Sequence, residues 1–196
     1  MDNRFLGRVA VVTGAASGIG EAIARRITME GGQVVGFDRD TVALEHAAQQ
    51  HGFSPIQVDV ANEESVRNGI ERAVQQFGRL DILVNSAGVV GPTSTKIVDF
   101  RSEDFAQVLQ INLFGSFYTT KYSVQAMLPN NYGRVLLIAS IAGKEGNPGM
   151  VGYSTSNAGV IGLVLTAILV PRFSIFTFLL APVRPLLALF GLPALI

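Results

Sequence analysis

Residues 13–20, Thr-Gly-Ala-Ala-Ser-Gly-Ile-Gly, place three glycines at a spacing that suits a bound phosphate. Gly14 permits a tight turn, Gly18 lets the backbone approach a pyrophosphate, and Gly20 lets a helix pack close to a strand. A helix opening around Ser17, Gly18 and Ile19 adds free N–H groups and the positive end of its dipole. No lysine follows these glycines, so a nucleoside-triphosphate loop does not fit. Asp38 lies about twenty residues further on, where a carboxylate accepts both hydroxyls of an adenine ribose and repels a 2′-phosphate. Arg39 could attract that phosphate, but Ser17 rather than a basic residue precedes Gly18, so NAD is favoured over NADP. Asp59 and the Val60 N–H are placed to contact an adenine; a turn or cap before the next helix is the other reading of Asp59. Ala87 and Gly88 are small enough for close passage of a cofactor, while Asn85 could tie neighbouring strand ends together.

These residues need a frame. Short, largely β-branched apolar runs at 8–14, 33–38, 54–60, 80–88 and 133–140 read as buried strands. Helical spacing fills the gaps at 18–32, 41–52, 62–78 and 102–127, with Asn62 and Ser65 as a capping pattern. Strand and helix in alternation predict an α/β fold, a Rossmann-type doubly wound parallel sheet with helices on both faces. Ligands then bind outside the carboxyl ends of the strands, where the glycines and polar residues cluster.

Composition excludes several classes. The chain has 196 residues, with 15 basic and 15 acidic, so nothing points to nucleic acid or to an acidic partner. Without cysteine there is no disulfide or thiol chemistry, and His46 and His51 lack further ligands nearby, so no metal site is expected. The N-terminus lacks a signal peptide's apolar run, and a cytoplasmic protein is expected. From about residue 158 the character changes. The stretch to 196 has no acidic residue, carries Arg172 and Arg184 as its charges, and is interrupted by Pro171, Pro182, Pro185 and Pro193. We therefore divide the chain into a dinucleotide-binding unit, 1–163, and an apolar tail, 164–196. The prolines argue against one membrane-crossing helix, and membrane association of the tail is not the favoured reading.

The chain resembles the short-chain dehydrogenase/reductase family over roughly residues 5–163. The resemblance rests on the glycine turn, Asp38, Asp59-Val60, "NSAG" at 85–88, Asn112 in "INLFGSF", Ser140 in "IAS", and "YSTSN" at 153–157. Within the family it is similar to the 3-oxoacyl-carrier-protein reductase and polyol dehydrogenase branch. The resemblance implies a nicotinamide cofactor, hydride transfer at an alcohol or carbonyl carbon of a small molecule, and homo-oligomers. It also implies roles: Ser140 bonds the substrate oxygen, Tyr153 is the general acid/base, and Asn112 shapes its helix and holds a relay water. A phenol, with a reference pKa of about 10, is a poor base at neutral pH. The family corrects this with a lysine one helical turn later, on the same helix face. Here that residue is Asn157, a neutral amide.

The expectation is an oxidoreductase of this family with impaired turnover. Its fold should be incomplete at the C-terminal end, since no further strand and no substrate lid are legible beyond residue 163. The loss of pattern beside the loss of lysine suggests a truncated or frameshifted product. The alternatives are a non-catalytic dinucleotide-binding protein and an unstable fragment.

Overall fold

The computed structural model describes residues 3–166 and 173–180. Six parallel strands run in the order β3-β2-β1-β4-β5-β6, from β1 (Val9–Thr13), β2 (Gln33–Asp38), β3 (Ser54–Gln57) and β4 (Ile82–Asn85) to β5 (Gly133–Ser140) and β6 (Phe173–Leu180). The order reverses between β1 and β4, which leaves a crevice outside their carboxyl ends.

Successive residues of a strand point to opposite faces, and that alternation builds two cores. Val9, Val11, Val35, Phe37, Leu83, Val135 and Leu137 pack with α3 (Glu63–Phe77), α5 (Gly115–Met127) and α7 (Val151–Thr166). Ala10, Val12, Val34, Ile82 and Val84 pack with α1 (Gly18–Met29) and α2 (Thr41–His51). Helices therefore cover both faces, as the run of apolar strands requires. Caps mark the expected helix ends. Asp40 accepts the Ala43 N–H at 3.0 Å and Asn62 accepts the Ser65 N–H at 2.9 Å. Gly52 and Gly78 close α2 and α3 at φ of 76° and 75°.

Three features differ from the sequence expectation. The helix predicted over 102–127 is α4 (Ser102–Leu109) and α5 joined by a wider π turn, Gln110–Phe114. A short α6 (Ala142–Glu145) follows β5. Residues 173–180, "FSIFTFLL", form β6 and pair with β5 along its full length, Gly133 with Phe173 through Ser140 with Leu180. In the sequence this segment is uncharged and without a regular alternation, and Pro171 and Pro182 bracket it. The rest of the expected tail, 167–172 and 181–196, lies outside the described residues. Among the described residues, no helix is long and apolar enough to cross a membrane.

Candidate active site

The glycine turn leaves β1 and enters α1 as the spacing predicts. Gly14 has φ of 68° and Gly18 of 58°, values that side chains rarely adopt. A Cβ on Gly20 would lie 2.2 Å from the Gly14 carbonyl oxygen, so only glycine lets α1 approach the turn this closely. At Gly18 a Cβ would meet nothing within 4 Å, so this face of the turn is open. The Glu21 N–H is the first in α1 to bond back, to the Ser17 carbonyl at 3.2 Å. The preceding N–H groups, through Ile19 and Gly20, are the unsatisfied donors of a helix start.

Asp38 ends β2 beside this turn. One carboxylate oxygen accepts the Ala16 N–H at 3.2 Å and the other the Asp40 N–H at 3.1 Å. A carboxylate has about four acceptor positions, so both oxygens keep capacity for a ribose. Asp59 sits in the turn before α3, where its side chain accepts the Ala61 N–H at 2.9 Å and its own N–H donates to Ser65 Oγ at 3.1 Å. Val60 is buried against Gly115 of α5, where a Cβ would lie 3.1 Å away.

A neutral hydrogen-bonded chain links the strand ends to α5 and α7. The Thr13 hydroxyl accepts the Ser86 and Ala87 N–H groups and donates to Asn85 Oδ1, each at 3.0 Å. Asn85 Nδ2 donates to Ser116 Oγ at 2.9 Å, and Ser116 donates to the Asn112 carbonyl at 2.5 Å. In the π turn, the Asn112 side chain accepts the Val89 N–H at 2.8 Å. It donates to the Val89 carbonyl at 2.9 Å and to Ser156 Oγ at 3.0 Å. Ser156 donates to the Tyr153 carbonyl at 2.9 Å, as does Asn157 Nδ2 at the same distance. Asn157 Oδ1 accepts the Ser140 N–H at 2.8 Å. The Ser140 hydroxyl, at the carboxyl end of β5, accepts the Ala142 N–H at 3.2 Å.

A cavity of about 170 Å³ opens beside this chain. Ile19, Ala87, Gly88, Asn112, Tyr153 and Asn157 line it, bringing residues of the expected cofactor and catalytic sets to one place. Ser140 is not in its wall, although its neighbours Ile138 and Ala139 are. The Tyr153 hydroxyl has no partner among the described residues, and no charged side chain lines the cavity. Sequence reasoning missed Thr13, Ser116, Thr119 and Ser156. Ser116 and Thr119 carried a signal, since hydroxyls recur at helical spacing on the buried face of α5.

The donors present fit a dinucleotide: an open glycine turn, free helix N–H groups and a carboxylate with spare acceptor capacity. Comparison with known proteins agrees. A family model described as short chain dehydrogenase matches residues 8–169. The NAD(+)-linked 2-dehydro-3-deoxy-L-rhamnonate dehydrogenase of a Sphingomonas strain is 42% identical over 160 residues, 81% of this chain and 64% of that protein. The 3-oxoacyl-acyl-carrier-protein reductase FabG of Thermotoga maritima is 34% identical over 83% of this chain and 68% of its own length. A crystal structure of NAD+-bound xylitol dehydrogenase superposes with a TM-score of 0.84 at 37% identity, over 89% of this chain and 70% of the other. The chain thus spans less than two thirds of the first of these relatives, yet motif, topology and similarity agree: it belongs to the short-chain dehydrogenase family.

Proposed function

We propose that the chain binds NAD in preference to NADP and oxidises a small polyol or sugar-derived alcohol, or reduces the matching ketone, with weakened turnover. The observation that carries this reading is the Tyr153 hydroxyl, unpaired by the described residues and lining a cavity that begins at the phosphate turn. Two relatives are an NAD(+)-linked sugar-acid dehydrogenase and a xylitol dehydrogenase, which supports the substrate class.

The N–H groups of Gly18, Ile19 and Gly20 would hold the pyrophosphate, and Asp38 the adenine ribose. Asp59 and Val60 would meet the adenine, while Gly14, Ser17, Ala87 and Gly88 leave room for the chain of the cofactor and Asn85 braces the strand ends. A bound nicotinamide supplies the carbon that takes or gives the hydride. Ser140 orients the substrate oxygen, and Tyr153 takes the alcohol proton or returns it to the carbonyl oxygen. Asn112 holds the 86–89 loop against α7 through Val89 and Ser156. The absent cation beside Tyr153 weakens proton transfer, because a neutral amide gives no electrostatic help to a phenolate.

The uncharged cavity wall also favours a second reading, a protein that binds the dinucleotide without turnover. Reduction of NAD+ followed by absorbance over a panel of polyols, sugar acids and secondary alcohols separates the two. Slow turnover is expected, and Tyr153→Phe should lower it by about 10²- to 10⁴-fold. Saturable NAD binding with no turnover above that variant would decide for the second reading.

A further inference from the structure

Gln110 opens the π turn that carries Asn112, but Asn112 lines the cavity and Gln110 does not. Residues two apart on a helix do not share a face. Gln110 Nε2 donates instead to the Ala61 carbonyl at 2.7 Å, across 49 residues of chain. The orientation of the amide follows from this partner, since a carbonyl needs a donor. Gln110 and Ala61 are both half-buried. The carbonyl it meets stands outside α3, because the first bond of that helix is taken one residue later, by the Asn62 carbonyl from Val66 at 3.1 Å. The turn reached in this way begins beside the ribose carboxylate, where the Val58 N–H donates to the Asp38 carbonyl at 2.9 Å. Within it Asp59 Oδ1 accepts the Ala61 N–H at 2.9 Å, and the Asp59 N–H donates to Ser65 Oγ at 3.1 Å.

Both ends of the π turn rest on this 59–61 turn. Gln110 bonds to it at the start, and just past the end a Cβ on Gly115 would lie 3.2 Å from the Val60 carbonyl oxygen. On its other side the same π turn holds Val89 and Ser156 through Asn112. We propose that Gln110 is a positioning residue for the adenine end of the cofactor: by holding the Ala61 carbonyl, it fixes Asp59 and the Val60 N–H where an adenine meets them. This rests on the reading of Asp59 and Val60 as the adenine contacts. The two ends of the π turn do different work. Close packing at Gly115 limits how near the 59–61 turn can come, but a steric contact cannot hold it there. The hydrogen bond from Gln110 supplies the attraction that keeps the turn from moving away.

Titration with adenosine, followed by NMR at the Val60 amide, tests this on Gln110→Met and Gln110→Lys, beside titration with nicotinamide mononucleotide. Methionine keeps a long side chain but has no donor, whereas lysine keeps a donor. Adenosine is uncharged, so the ammonium of the lysine variant does not act on it as a charge. The adenosine Kd should rise about three- to tenfold in the Met variant, the loss of one neutral hydrogen bond. In the Lys variant it should stay within about twofold of wild type. Nicotinamide mononucleotide belongs to the Asn112 side, and its Kd in the Met variant should also stay within about twofold.

Unchanged adenosine affinity in the Met variant overturns the proposal. So does an equal loss of both half-ligands there, which marks general loosening, or a Lys variant as weak as the Met variant. If the Met variant does not fold, the Lys variant decides, retained adenosine affinity supporting the role of the donor and lost affinity refuting it. If no form binds adenosine, the adenine reading fails and takes the cofactor role of Gln110 with it. The carbonyl-carbon shift of Ala61 separates the two failures. A shift that moves in the Met variant and returns in the Lys variant keeps the contact between the turns, and one that never moves removes it.

Discussion

Asp81 and Asn85 bracket β4, and both are buried, at 0% and 2% exposure. At the amino edge of the sheet, Asp81 takes the Val9 N–H at 3.0 Å, Arg8 at 3.2 Å and Arg79 at 2.6 and 2.9 Å. Burial pushes its pKa up, but hydrogen bonds from Arg79 and the Val9 N–H, with the Arg79 charge and a bond from Arg8, outweigh it and hold the carboxyl below its usual range. The Arg8 guanidinium also lies 4.0 Å from the Tyr132 ring centroid, and Glu30 is paired with Arg4 and Arg26. At the carboxyl edge the side-chain partners of Asn85 among the described residues are the neutral groups of Thr13, Ser116 and Thr119. One edge satisfies buried polarity with ions and the other with amides and hydroxyls. The difference matters for function. On the proposed reading, a charged dinucleotide arriving at the carboxyl edge would meet backbone donors and helix dipole there.

Breaking the ionic edge should cost most. Asp81→Ala leaves two arginines and a strand N–H facing an empty space, and about 3–5 kcal/mol of stability should be lost in denaturant unfolding. Asn85→Ala orphans neutral groups and should cost less, about 1–3 kcal/mol. Equal losses at the two positions would erase the contrast between the edges.

Acid should reveal the same division. Hydrogen bonding to Arg4, opposed by burial and assisted by Arg26, lowers the Glu30 pKa from 4.5 to about 2. A carboxylate with a depressed folded pKa stabilises the fold fully above its unfolded value, and that contribution disappears as pH falls through the folded one. The melting temperature should therefore fall between pH 4.5 and about 2, with Asp81 acting in the same direction. Glu30→Gln should flatten the curve within that window, and an unchanged curve would remove Glu30 from the account.

The smallest effect belongs to cofactor choice. Asp38→Asn keeps one acceptor for the Ala16 N–H and removes the charge that opposes a 2′-phosphate. The ratio of NADP to NAD affinity should rise roughly tenfold, about 1.4 kcal/mol, in paired titrations.

The glycine turn was legible because its geometric demands fall on residue type. A left-handed φ at Gly14 disfavours side chains, contact at Gly20 leaves no room for a Cβ, and a strand-end carboxylate announces itself by position. Alternating strands and helices likewise gave the doubly wound sheet. Side-chain partnerships were not legible in that way. Asp81 is 73 residues from Arg8, and nothing local predicts that they meet. Asn157 looked like the loss of a lysine, since its second bond reaches Ser140, 17 residues earlier on another element. The β6 strand was not legible because its run, "FSIFTFLL", carries no charge and no regular alternation, and periodicity is what marks a strand in a sequence.

Calorimetric titration of NAD+ and of NADP+ into the purified chain tests the central claim, that the carboxyl edge is a dinucleotide site, most directly. The account predicts one saturable site per chain with NAD+ bound more tightly, and weakened binding in Gly20→Ala, whose Cβ collides with the Gly14 carbonyl. No heat with either dinucleotide at millimolar concentration, from a chain shown to be folded, would contradict it.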